Sequence, residues 1–164
     1  MVIHVLIGIS GSGKTTWCTK HIKENTNQKI IRVNRDTIRE SLFVNMEDYY
    51  VKSCLGIKEK IVDNIQSEII ESAIYEQFDI IVDNTNLNIK YINHVLDCLR
   101  YNYELKFVML DSTSMNPGLC KKRVMERNNF SEDQVVYIDR QYKDYIKMKE
   151  YIERYFENIE KIYL

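Results

Sequence analysis

Apolar and polar positions fall into blocks that read as strand, helix, strand, helix along most of this chain. Val2 to Ile7 is an apolar run broken once, by His4. Its shortness and the glycine that follows predict a strand buried on both faces. A helix is predicted from about Gly13 to Asn25, with Trp17 on it as a packing residue against the sheet. Lys29 to Val33 is a short β-branched strand. A short helix follows, in which Thr37 and Glu40 have the spacing of a capping box. The stretch 45–56 is poorly periodic, contains Tyr49 and Tyr50, and reads as mostly loop with some helical turn. Ile57 to Gln77 reads as a long amphipathic helix. Ile57, Ile61, Ile65, Ile69 and Ala73 recur along it at four-residue spacing, with Val62, Ile70 and Ile74 beside them.

The second half repeats the alternation. Asp79 to Asp83 is a buried strand and Asn84 to Asn86 a polar turn. Asn88 is placed as the N-cap of a helix that ends near Tyr101 and Asn102, with Leu87 and Ile92 spaced as a hydrophobic staple. Leu105 to Leu110 is a further strand, closed by Asp111. Asn116 followed by Pro117 is a strong helix start, and that helix should run to about Arg127 and stop at Asn128 and Asn129. Ser131 and Gln134 form a second capping-box signal, opening a Tyr-rich helical region to about Phe156. Ile159 to Tyr163 is a candidate terminal strand. Strands alternating with helices imply an α/β fold, with a parallel sheet of four to five strands covered on both faces. Ligands of such folds bind at the carboxyl ends of the strands.

Composition narrows this further. At 164 residues the chain is the size of one domain. It has one proline and five glycines, too few for a flexible linker. A formal net charge of −1 supplies no global field for nucleic acid, so any such contact should be local, at one end of a strand. Cys18, Cys54, Cys98 and Cys120 are scattered with no CxxC, as expected of reduced residues in a cytoplasmic protein. No signal peptide and no membrane span are expected.

The chemistry begins at Gly8-Ile9-Ser10-Gly11-Ser12-Gly13-Lys14-Thr15, a GxxxxGK[ST] phosphate-binding loop between a strand and a helix. Its glycines allow a turn tight enough for backbone N–H groups to face phosphate oxygens, and the helix start, including Thr16, adds more. Lys14 can reach the β and γ phosphates, and the Thr15 hydroxyl can ligate magnesium. ATP or another nucleoside triphosphate with Mg²⁺ is therefore the expected cofactor pair. The second strand ends at Asn34-Arg35-Asp36. A carboxylate beside triphosphate is disfavoured by like charge unless it has a role, and accepting the proton of an attacking hydroxyl is a suitable one. Arg39 lies three residues on, able to hold Asp36 ionised or to bind a phosphate of the acceptor. A helix-start carboxylate and a solvated arginine remain the plain alternative for this pair. Asp83 ends an apolar strand, where it could support magnesium, pair with Arg39, or cap the next turn. Arg123 and Arg127 share a helix face with Lys121 and Lys122 beside them. The arginines fit a lid at about 112–131 that closes over the triphosphate, while the lysines read as a basic helix end. The tyrosines at 137, 142, 145, 151 and 155 have helical spacing and read mainly as packing. No histidine has metal-ligand spacing.

Together these motifs resemble the kinase domain of the T-even phage 5′-hydroxyl polynucleotide kinase family. The resemblance rests on Gly-Ser-Gly-Lys-Thr-Thr-Trp, Asn34-Arg35-Asp36 with Arg39, Asp83-Asn84-Thr85-Asn86-Leu87-Asn88, and Arg123 and Arg127 before a Tyr-rich helix. It implies a three-layer, adenylate-kinase-like P-loop kinase fold. It implies transfer of the γ phosphate of ATP to the 5′-hydroxyl end of RNA or DNA. By that match Asp36 is the general base, Lys14 and Thr15 are the phosphate and magnesium contacts, and Arg39 is the acceptor-site arginine. Asp83 supports Arg39, Arg127 is the lid arginine, and Arg123 is a neighbouring basic position. The phage enzyme's separate 3′-phosphatase domain has no counterpart here, since no Asp-x-Asp pair exists, so a stand-alone kinase is expected. The rival expectation is a P-loop kinase for a small hydroxyl-bearing metabolite, nucleoside or antibiotic. A GTP-dependent switch fits poorly, lacking both the Asn/Thr-Lys-x-Asp and the Asp-x-x-Gly motifs.

Overall fold

The computed structural model describes residues 1–43, 52–98, 103–110 and 115–162. In chain order the elements are β1 (Val2–Ile7), α1 (Lys14–Glu24), β2 (Ile30–Val33), α2 (Arg35–Leu42), α3 (Lys52–Tyr75), β3 (Asp79–Val82), α4 (Ile89–Asp97), β4 (Glu104–Leu110), α5 (Pro117–Asn128), a 3₁₀ turn (Glu132–Val135), α6 (Tyr137–Tyr155) and β5 (Ile159–Ile162). The five strands form one parallel sheet in the order β2-β3-β1-β4-β5. Val5 of β1 stands opposite Val82 of β3 on one side and Phe107 of β4 on the other.

The near-continuous apolar strands follow from burial on both faces. Ile3, Val5 and Ile7 join Ile80, Val82, Phe107 and Met109 in a large core with residues of α3 to α6. The alternate positions Leu6, Ile81 and Val108 face Trp17 and Cys18 of α1. Strand periodicity thus divides each strand between two helical layers, and the chain has the three-layer α/β architecture expected. Trp17 is buried and its ring stacks on His21 at 4.7 Å between centroids, a packing role.

Several boundaries differ from the sequence pattern. α2 begins at Arg35, and its N-cap is Asn34, whose Oδ1 accepts from the Thr37 N–H at 2.9 Å; Thr37 and Glu40 are not its cap. Asn outranks Thr as a cap and already stood at the strand end. α3 starts at Lys52, so 52–56 is helix and not loop. Its buried residues are Val62, Gln66, Ile70 and Ala73, while Ile57 and Ile61 are exposed at 68% and 42%. The reason is helical geometry. At about 100° per residue, the four-residue stripe from Ile57 to Ala73 walks roughly 160° around the axis, so no single face of the sheet can cover all of it. Tyr49, Tyr50, Asp111 and the expected α4 end at Tyr101 and Asn102 lie outside the described residues, as do 112–114 of the expected lid and Tyr163 of the terminal strand.

Candidate active site

The polar residues of the sheet converge at the carboxyl ends of β1, β2 and β3. Gly11 and Gly13 of the loop after β1 have φ of +80° and +102°, where a side chain is strained. At Gly11 a Cβ would also lie 2.5 Å from the Cys120 carbonyl oxygen, so the loop and the backbone of α5 are in direct contact there. Lys14 is buried, and its Nζ donates to the carbonyls of Gly8 and Ile9 at 2.9 and 2.8 Å. Burial pulls its pKa down from 10.5 to about 8, with the Asp83 carboxylate opposing the shift.

The Thr15 hydroxyl donates to Asp83 Oδ2 at 3.0 Å. Asp83 is 1% exposed, and its Oδ2 also accepts from Arg32 Nε at 2.8 Å and pairs with Arg32 Nη2 at 2.7 Å. The expected Asp83–Arg39 pair is therefore corrected. Arg32 holds Asp83, because it projects from the strand adjacent to β3, whereas Arg39 lies a turn along α2. Asp83 Oδ1 is buried without a hydrogen-bond partner. An unsatisfied buried carboxylate oxygen beside a threonine hydroxyl is a hard-oxygen donor set that suits Mg²⁺. Among the described residues, no group of three or more His, Cys, Asp or Glu side chains could hold a metal by itself.

Asp36 is the second residue of α2, and its exposed side chain accepts from Arg39 Nη1 at 2.5 Å. Arg39 is held from its other side by Glu59 of α3, through Nε at 3.1 Å and Nη2 at 3.0 Å. Glu59 also accepts from Arg35 Nη2 at 2.5 Å. Arg35 is buried, pairs with Asp63 and lies 5.0 Å over the Tyr91 ring. The start of α2 is fixed by a relay of amides. Buried Gln66 accepts from Asn84 Nδ2 at 3.1 Å, and Asn84 Oδ1 accepts from the Arg35 N–H at 2.9 Å. Asn86 is buried at φ +48°, and its Nδ2 donates to Leu6 at 2.8 Å and Val82 at 3.3 Å, tying β1 to β3 below the loop.

Two cavities open over this platform. The first, of 440 Å³, is lined by Ser10, Gly11 and Gly13 to Thr16 with Asp83, Arg123 and Arg127. Arg123 Nη1 donates to the Gly11 carbonyl at 3.2 Å and Arg127 Nε to Asn128 Oδ1 at 3.2 Å, both from the exposed face of α5. The second, of 360 Å³, is lined by Arg35, Arg39, Asn86, Tyr91, Tyr137 and Gln141 among others. Ser10, Asp36, Asn84 and Thr85 line both. The loop, Asp36, Asp83, Arg123 and Arg127 thus share one cavity, while Arg39 faces the other with Asp36 between. Ser12 and Gly8 lie behind the loop: Ser12 Oγ is buried, and a Cβ on Gly8 would reach within 2.9 Å of it.

Sequence reasoning did not single out Arg32, Glu59, Gln66 or Gln141. A lone arginine in the apolar run Ile30-Ile31-Arg32-Val33 was a readable signal. The other three sit in polar positions of long helices that nothing local distinguishes. Lys121 and Lys122 form surface pairs with Asp139 and Glu126, at 2.6 and 3.9 Å. Among the described residues, no helix is long and apolar enough to cross a membrane.

Comparison with known proteins matches the fold. A family model described as an AAA domain fits residues 3–150. A protein of Autographa californica nuclear polyhedrosis virus, named as a bifunctional polynucleotide kinase/RNA ligase, is 28% identical over 159 residues. That match covers 90% of this chain and 21% of the viral protein, so the chain spans about a fifth of its relative. The solved Pnkp1/Rnl/Hen1 RNA repair complex contains a chain that superposes with a TM-score of 0.73 at 19% identity, over 95% of this chain and 46% of that one. A gluconokinase from Sinorhizobium meliloti superposes at 0.55 and 15% identity, over 99% of this chain and 82% of that one. At these identities the two structures establish the shared fold.

Proposed function

The chain belongs to the AAA-domain family, and within it we propose a kinase that transfers the γ phosphate of ATP to the 5′-hydroxyl end of RNA or DNA. One observation carries the reading: Asp36 stands in the wall common to the two cavities, with Lys14 and Thr15 on one side and Arg39 on the other. Such a carboxylate is positioned for an acceptor hydroxyl to meet a terminal phosphate in line. The hydroxyl proton passes to Asp36 Oδ, the oxygen attacks the γ phosphorus, and the bond to the β–γ bridging oxygen breaks as ADP leaves. Lys14 and the loop amides hold the β and γ phosphates. Thr15 and Asp83 would hold Mg²⁺, which when bound neutralises phosphate charge. Arg127, with Arg123, lies where it can close on the γ phosphate, and α5 with the turn after it serves as the lid. Arg39, fixed by Glu59, offers its guanidinium to a phosphate of the acceptor strand.

The 28% identity to a polynucleotide kinase/RNA ligase, spread over 90% of the chain, supports a nucleic-acid end as the acceptor. We read the described residues as the kinase unit of such a repair activity, working in the cytoplasm. A second reading, a kinase for a small metabolite, nucleoside or antibiotic, draws on the 360 Å³ of the second cavity, a volume suited to a single small ligand. The deciding experiment is transfer from labelled ATP to 5′-hydroxyl RNA and DNA oligonucleotides beside a panel of nucleosides and sugars. Labelled oligonucleotide ends are the expected outcome, and labelling of small molecules alone would overturn the proposal.

A further inference from the structure

Gln141 lies on α6, one turn after Tyr137, with its side chain in the second cavity. Its Oε1 accepts the Ser10 backbone N–H at 2.8 Å, across 131 positions of sequence. A backbone N–H can only donate, so the amide oxygen must face the loop and the orientation of the side chain is fixed. The Nε2 end, with two N–H groups, is thereby turned away from Ser10, and it donates to no described residue. A half-buried amide held at one end and left with donors at the other is a pre-set hydrogen-bond donor. The two guanidinium groups on this cavity are already paired, Arg35 with Glu59 and Asp63 and Arg39 with Asp36 and Glu59.

We propose that Gln141 is an acceptor-binding residue: its Nε2 donates to an oxygen of the terminal nucleotide while its Oε1 keeps hold of the phosphate-binding loop. The inference rests on the transfer reaction proposed above and adds the group that orients the acceptor. Because Ser10 also lines the first cavity, the same side chain fixes the acceptor relative to the donor loop. This is a geometry in which small displacements are expensive for transfer.

Gln141→Glu separates this role from a merely structural one. The carboxylate is nearly the same shape and still accepts from Ser10, but it has no donors and repels an acceptor oxygen. With folding checked by thermal melting, the expected result is a rise of about 10- to 100-fold in acceptor KM, with ATP KM changed by less than about threefold. Gln141→Ala, which loses both contacts, should raise both constants. If Gln141→Glu matches the unsubstituted protein while Gln141→Ala is impaired, the residue only supports the loop and the proposal fails. An equal rise of both constants in Gln141→Glu would also overturn it. The series is run on whichever acceptor the unsubstituted protein phosphorylates. Labelling of small molecules alone therefore removes the polynucleotide reading, while an unchanged acceptor KM removes the role of Gln141.

Discussion

Nucleotide binding should draw a proton onto Lys14, by an amount set by where the fold holds that amine. Lys14 is 8% exposed, bonded to two loop carbonyls, and its pKa falls from 10.5 to about 8 because of burial. The folded chain therefore binds fewer protons than the unfolded one between about pH 8 and 10.5, and stability rises as pH climbs through that window. Below it, keeping the ammonium charged inside the fold costs about 3 to 4 kcal/mol, from the gap between 10.5 and about 8 at roughly 1.4 kcal/mol per pH unit. A bound triphosphate supplies the missing counter-charge. If it restores the ordinary pKa, uptake should be about half a proton per nucleotide at pH 8 and about nine-tenths at pH 9. Affinity for ATP should then fall by about tenfold per pH unit above roughly pH 8. Titration calorimetry in two buffers of different ionisation enthalpy measures the uptake directly. Lys14→Arg is the control, since a guanidinium cannot deprotonate in this range. Zero uptake at about pH 8.5, or unchanged uptake in Lys14→Arg, would refute the placement of a half-protonated amine under the loop.

Further outcomes follow from other contacts. Gly11→Ala combines a left-handed φ with a Cβ 2.5 Å from the Cys120 carbonyl, and should destabilise by about 2–4 kcal/mol in urea melts; an unchanged midpoint would mean α5 does not press on the loop. His4 has its pKa lowered from 6.5 to about 4, mainly by burial and then by His21 and Lys106. Its folded value lies below its unfolded one, so stability should be full above about pH 6.5 and fall as pH drops toward about 4; His4→Leu should flatten that slope, and an equal slope in both proteins would assign acid sensitivity elsewhere. Asp36→Asn should abolish transfer and leave ATP affinity within about twofold, since the residue is exposed and bonded only to Arg39 among the described residues; near-normal turnover would remove it as the base.

The fold was readable because its signals are periodic and local. The apolar strands, the glycine loop and Asn116-Pro117 each declare themselves within a few residues. The phosphate-binding loop was readable for the same reason, since Gly8 to Thr15 is one continuous motif. The surroundings of Asp36 and Arg39 were not, because their supports come from distant helices. Glu59, Gln66 and Gln141 are ordinary polar helix residues until tertiary packing brings them to Arg39, Asn84 and Ser10. The partner of Asp83, whose roles the sequence leaves open, is hidden on the same ground. Strand adjacency, with Val33 opposite Val82, brings Arg32 and not Arg39 to it. Tyr137, counted with the packing tyrosines, is 41% exposed and faces the second cavity, whereas Tyr145 is buried and donates to Leu110. Helical spacing alone does not distinguish them.

The wall that the two cavities share bears on ligand design. Ser10, Asp36, Asn84 and Thr85 border both spaces, so a molecule joining the two proposed substrates would cross only one layer of side chains. An oligonucleotide linked through its 5′ oxygen to the terminal phosphate of ATP would need no added spacer. Its second half would bind at an effective concentration in the millimolar range or above, about that of a short tether. Such a conjugate should inhibit far more tightly than either part. Inhibition no better than that by the nucleotide alone would show that the two cavities do not communicate past Asp36.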